Sequence, residues 1–173
     1  MRPPGFNQRG FTIIELVVVF SIIAVLSVIG IAAFVNYSHV QTVESSAADL
    51  SSYFVVAKSR AISQVKPTSQ IPQCDSNAIL NGYRIILCQT SSSDVLCSNA
   101  NTYVLAVRCS NVDYKIQAGT LPKNVSYSPS PTSSSFFFPV ISSGVAGSGI
   151  LYLSGYGFTK TITIDPVGGI QVQ

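Results

Sequence analysis

The sequence predicts an α+β protein in which a long N-terminal helix packs on an antiparallel β-sheet. Three observations carry that reading. An uncharged apolar run opens the chain, the residues after it keep apolar positions at helical spacing, and beyond a proline-bearing break the apolar residues come in short β-branched and aromatic runs. At 173 residues there is room for one folded domain and an appended segment. The expected parts are a leader over 1–10, a transmembrane helix over 11–35, its amphipathic continuation over 36–65, and a globular β domain over 66–173.

The apolar run is LVVVFSIIAVLSVIGIAAFV, Leu16 to Val35, without a charged residue. Twenty residues at about 1.5 Å of rise each match the roughly 30 Å of bilayer hydrocarbon. A cleaved secretory signal has a shorter core and a small-residue cleavage site after it, whereas this run continues into a polar helical pattern. Arg2 and Arg9 precede the run and the first basic residue after it is Lys58, which places the N-terminal side in the cytoplasm and the bulk of the chain outside. Charged residues make up 10% of the chain, and from Phe11 onward the net charge falls from +3 to +1, which supports no polyanion-binding surface.

Glu15 does not fit a plain anchor. An ionised carboxylate carried to mid-bilayer costs about 2.5 to 3.5 kcal/mol, and the bland alternative is a residue resting at headgroup level. Gly10-Phe11-Thr12-Ile13-Ile14-Glu15, after a short basic leader and before an apolar helix, closely resembles the type III signal of type IV pilins and type II secretion pseudopilins. The resemblance implies a pilin-like fold, removal of a prepilin leader by cleavage between Gly10 and Phe11, N-methylation of Phe11, and an assembly role for Glu15. Gly10 offers no side chain to obstruct a peptidase, and the new ammonium of Phe11 is a partner for the Glu15 carboxylate of a neighbouring subunit. Many relatives carry a proline some way into this helix; here Gly30 stands nearby instead.

Past the apolar run, Val40, Val43, Ala47, Leu50, Phe54, Ala57 and Ala61 recur at steps of three and four, one stripe along a helix that should run to about Gln64. Glu44, Ser45, Asp49, Ser52 and Lys58 occupy the other side, which suits packing of the stripe on a sheet; a coiled-coil seam is the alternative, and two heptads are short for one. Lys66-Pro67-Thr68-Ser69 ends the helix.

Strands are expected at Tyr83–Cys88, Tyr103–Cys109 and Asp113–Ala118, most simply as an antiparallel meander. After the Pro/Ser stretch from Ser128 to Ser135, four further candidates follow at Phe136–Phe138, Ile150–Leu153, Thr161–Asp165 and Ile170–Gln173. The order FFFP, a glycine-rich turn over Gly144–Gly149, ILYL, TITID and Gly168-Gly169-Ile170 is similar to the C-terminal half of H-type pseudopilins and FimT-like minor pilins.

Cys74, Cys88, Cys97 and Cys109 all follow the apolar run and form no CxxC pair with a nearby histidine. Two disulfides in an oxidising compartment are expected, with free buried thiols as the alternative. If 83–88 and 103–109 form a hairpin, Cys88 lies at the loop end with Cys97, and Cys109 lies at the other end near the incoming Cys74. The pairs 88 with 97 and 74 with 109 follow, out of three connectivities.

Catalytic chemistry finds little support. The lone histidine, His39, sits just past the apolar run and reads as an interfacial polar residue, so no base stands near a nucleophile and no enzyme is expected. Asp75, Asp94, Asp113 and Asp165 lie beside turns, where their carboxylates bond the local backbone; Asp94 with Asn99 and Asn101 is the alternative calcium loop. Gly144, Gly147 and Gly149 lack the lysine and following helix of a phosphate loop. Arg84, Arg108, Lys115 and Lys123 read as solvated strand faces rather than a DNA surface. Asn124-Val125-Ser126 fits a glycosylation sequon.

No cofactor or metal is expected. The resemblance implies a structural subunit, a minor pilin or pseudopilin, of a type IV pilus, competence or type II secretion filament. A major pilin is the alternative within that class, and a DNA-binding minor pilin for DNA uptake the alternative outside it. The partners implied are other pilin or pseudopilin subunits, the prepilin peptidase and methyltransferase, and the inner membrane, with no nucleic-acid partner expected. Localisation follows as a single-pass cytoplasmic (inner) membrane protein with its C-terminal domain outside, in a pilus or pseudopilus after assembly.

Overall fold

The computed structural model describes residues 10, 12–75, 77–89, 94–127, 133–142 and 144–173; the side chains of 28, 29 and 32 lie outside that description. The leader residues 1–9 and Phe11 are also outside it. The chain divides into two compact units, Met1–Ser38 and His39–Gln173. One helix, α1 (Ile13–Ile62), contributes to both.

In the first unit α1 exposes apolar side chains, among them Ile13, Phe20 and Phe34. Residues 28, 29 and 32 fall inside the apolar run, and among the described residues no helix is long and apolar enough to cross a membrane. The helix is therefore present, but the transmembrane character expected for 11–35 is not displayed by the fold itself.

In the second unit the stripe along α1 is buried. Val43, Ala47, Leu50, Phe54, Ala57 and Ala61 belong to one core cluster with residues of the strands. This outcome excludes the coiled-coil alternative, because the surface it needs is filled from within the chain. The small residues 47, 57 and 61 let the helix approach the sheets, and Phe54 stands edge-on to Phe136, with ring centroids 5.1 Å apart. The helix ends at Ile62, two residues short of Gln64, whose φ of 52° carries the chain out of the helix. The Tyr83 hydroxyl donates to the Val65 carbonyl and Lys66 Nζ to the Ala78 carbonyl (2.6 Å), which ties down the exit.

Eight strands follow: β1 (Leu80–Cys88), β2 (Thr102–Cys109), β3 (Val112–Thr120), β4 (Val125–Tyr127), β5 (Ser135–Pro139), β6 (Gly149–Gly155), β7 (Phe158–Ile164) and β8 (Ile170–Val172). They form two four-stranded antiparallel sheets, ordered β3-β2-β1-β5 and β4-β6-β7-β8. The meander is correct for β1 to β3. A single sheet is not: β4 starts a second sheet, and the chain then returns to lay β5 against the free edge of β1, pairing Tyr83 with Phe138, before resuming the second sheet. The β6–β7 turn is Tyr156-Gly157, both at positive φ (54° and 83°), the geometry of a two-residue hairpin connection that matches strand twist.

Two disulfides fasten the first sheet. Cys88–Cys97 closes the loop after β1, and Cys74–Cys109 joins the approach to β1 with the end of β2, where Leu80 pairs with Cys109.

Candidate functional site

At the start of α1, Thr12 is the last residue before helical geometry. Its hydroxyl accepts from the Glu15 backbone N–H at 3.3 Å, and its carbonyl from the Leu16 N–H at 3.2 Å. Thr12 is thus an N-cap, and Glu15 stands at the third helical position, the Thr-x-x-Glu spacing of a capping box. A carboxylate there also faces the positive end of the helix dipole. The cap uses only the backbone of Glu15, and its side chain stands exposed at the helix start. Gly10 is exposed, and Phe11 lies outside the described residues.

His39 opens the second unit, and it is not an isolated interfacial residue. Its ring stacks on Tyr156, with centroids 4.0 Å apart and planes 8° from parallel. The Tyr156 hydroxyl donates to the Lys123 carbonyl at 3.4 Å, so the helix, the β6–β7 turn and the turn before β4 meet at one point.

Of the four basic residues expected to be solvated, Lys115 and Lys123 are exposed, but Arg84 and Arg108 belong to a charge network on the first sheet. Asp113, on β3 just past the turn at 110–111, gives its carboxylate to side chains and not to the local backbone: it accepts from Arg108 Nε at 2.7 Å and from Arg84 Nη1 at 2.8 Å. Arg84 also reaches Asp94 at 3.2 Å, and Arg108 lies over the Phe137 ring. Burial pushes the Asp113 carboxyl up, but the hydrogen bonds from the two guanidinium groups outweigh it and hold the group below the ordinary carboxylate range. With Asp94 committed to Arg84 and to the Leu96 N–H (3.1 Å), the calcium reading of that loop loses its carboxylate. Asp75 does serve its turn, accepting from the Asn77 and Ala78 N–H groups at 2.9 and 3.0 Å. Among the described residues no group of three His, Cys, Asp or Glu is placed to hold a metal ion.

The polar side of the helix is also engaged. Glu44 pairs with Lys160 at 3.0 Å, Lys58 donates to the Gly168 carbonyl at 2.7 Å, and the Tyr103 hydroxyl donates to the Asp49 carboxylate. Tyr103 comes from β2 opposite Gly119 of β3, where a Cβ would stand 2.2 Å from the tyrosine ring. Only a residue without a side chain lets that ring lie across the strand and reach the helix. Burial, together with the Asp49 carboxylate, pushes the Tyr103 phenol well above its ordinary value.

A Gly-Phe-Thr-x-x-Glu start thus stands at the head of a helix that leads into two antiparallel sheets. Residues 5–31 match the family model described as the prokaryotic N-terminal methylation motif. Prepilin peptidase-dependent protein D of Escherichia coli (strain K12) is 70% identical over 31 residues, 18% of this chain and 21% of that relative. The chain carries a prepilin-type N-terminus, and the match spans about a fifth of the curated relative. No solved structure matches the chain.

Proposed function

We propose that the chain is a structural subunit, a minor pilin or pseudopilin, of a type IV pilus, competence or type II secretion filament. The observation that carries this is the methylation motif over 5–31 set at the capped start of a helix whose apolar side chains stay exposed. Exposed apolar side chains over so long a stretch need a membrane or other subunits to cover them. In this reading a prepilin peptidase cuts between Gly10 and Phe11, Phe11 is N-methylated, 11–35 anchors the chain in the inner membrane until assembly, and the second unit lies outside. The Phe11 ammonium then meets the Glu15 carboxylate of the adjoining subunit. The H-type pattern of the last four strands favours a minor subunit, and a low copy number in isolated filaments is expected. Nucleic-acid uptake is disfavoured because Arg84 and Arg108 are already spent on Asp113.

Intact-mass analysis of the protein from its native host tests the reading. A chain that begins at Phe11 with one added methyl group is expected. Retention of Met1, or cleavage after the apolar run, would refute it.

A further inference from the structure

A cavity of about 240 Å³ opens in the second unit between the polar side of α1 and the end of β3. Its polar groups share one property, which follows from their hydrogen bonds. The hydroxyls of Ser45 and Ser46 both donate to the Thr42 carbonyl, at 3.1 and 2.6 Å, and the Tyr103 hydroxyl donates to Asp49. Each of these protons is spent inside the protein, so the oxygens turn only lone pairs to the cavity. Asp49 adds a carboxylate that is exposed and whose only ion-pairing or hydrogen-bonding side-chain partner among the described contacts is Tyr103. Thr120 supplies the one hydroxyl with a rotatable proton. The remaining wall, Leu121, Pro122 and the Tyr103 ring, is apolar.

Acceptors with a negative charge at one end, and an apolar wall at the other, select a ligand that has donors only and a hydrocarbon stem. Lysine and arginine side chains are such ligands, and an aromatic ring beside them adds attraction. We propose that this cavity binds an organic cation, an ammonium or guanidinium group on a hydrocarbon stem such as a lysine or arginine side chain, with Asp49 as its counter-ion. The uncharged serine oxygens complete the donors of the cation, and Leu121 and Pro122 cover its methylenes.

The test uses the full chain in non-ionic detergent, unassembled, so that failure to polymerise leaves the readout unaffected. With tyrosine rings labelled with carbon-13, Nα-acetyl-lysinamide is titrated while the Tyr103 signals are followed by NMR. A saturable shift is expected, weakened about tenfold or more in the Asp49→Asn variant, the scale of one charge-assisted hydrogen bond. Asparagine still accepts from Tyr103, so the ring signals of the free variant should stay in place and report an intact cavity. The Nε-acetylated lysinamide, which has the stem without the charge, should not bind. Undiminished binding by the variant, equal binding of the Nε-acetylated compound, or no saturable shift overturns the proposal. Comparison with free butylammonium distinguishes the source of the cation: lysinamide binding about tenfold tighter supports a side chain of a polypeptide, and butylammonium binding about tenfold tighter supports a small free amine.

Discussion

At the scale of single residues, two carboxylates have measurable consequences. The Asp113 carboxyl is held below its ordinary value in the folded chain, so the stability it adds is fully present above the unfolded carboxylate pKa of about 3.9 and is lost as the pH falls through the lower folded value. Replacing Asp113 by asparagine should cost about 1 to 2 kcal/mol at neutral pH, the partial exposure of the arginines reducing the effect. The gap between wild type and D113N in urea unfolding should close as the pH drops below about 4; a gap constant from pH 7 to 3 would mean that the network contributes no charge-dependent stability. For Glu15 the expectation follows from the proposed subunit role. Glu15→Val removes a charge from an apolar helix, so the precursor should insert and be cut after Gly10 as before. Assembly should fail, because an unpaired ammonium buried in a filament typically costs about 3 to 5 kcal/mol. Comparing processed protein in membranes with protein in sheared filaments checks this, and normal incorporation of the variant would remove the assembly role. The capping contact with Thr12 sets a smaller, separate cost: helix content at the N-terminus should fall slightly in any Thr12→Ala variant, by about 1 kcal/mol of local stability.

At the scale of elements, the helix was legible because its pattern is local. Steps of three and four over Val43 to Ala61 place those residues on one side whatever lies opposite, and all six are buried. The first three strands were legible for the same reason, as β-branched runs between Ser/Asn turns. Strand β4 escaped notice because three residues, Val125–Tyr127, hold too little pattern. The sheet to which β5 belongs could not be read, since nothing in Phe136-Phe137-Phe138 names the distant edge it joins. The Asp49–Tyr103 bond and the arginine network have the same origin: their members are far apart in sequence and meet only through strand register. Phe54 tests the helix-to-sheet packing that results. It is wholly buried and meets both Phe136 and Phe138 of β5, so Phe54→Ala should destabilise the second unit by about 3 to 5 kcal/mol. A loss below about 1 kcal/mol in thermal or urea unfolding would mean that the helix does not depend on β5.

At the scale of the whole molecule, the disulfides and the order of the strands act together. Cys74–Cys109 spans a separation of 35 residues and fixes the passage from helix to sheet, so Cys109→Ser should cost about 2 to 5 kcal/mol and expose the first sheet to proteolysis; an unchanged digestion pattern would show that the hairpin holds without it. The return of β5 to the first sheet bears on the time course of folding. Every chain emerges from its ribosome N-terminus first, and the meander β1–β2–β3 is complete in sequence at Thr120, but the edge of β1 that takes β5 stays open until Pro139 has followed. At about 5 to 20 residues per second that interval is on the order of seconds, during which a backbone edge flanked by Ile85 and Leu87 is free to pair with any neighbour. The waiting time is written into the connectivity, and it makes the nascent chain most vulnerable just before its last fifth arrives.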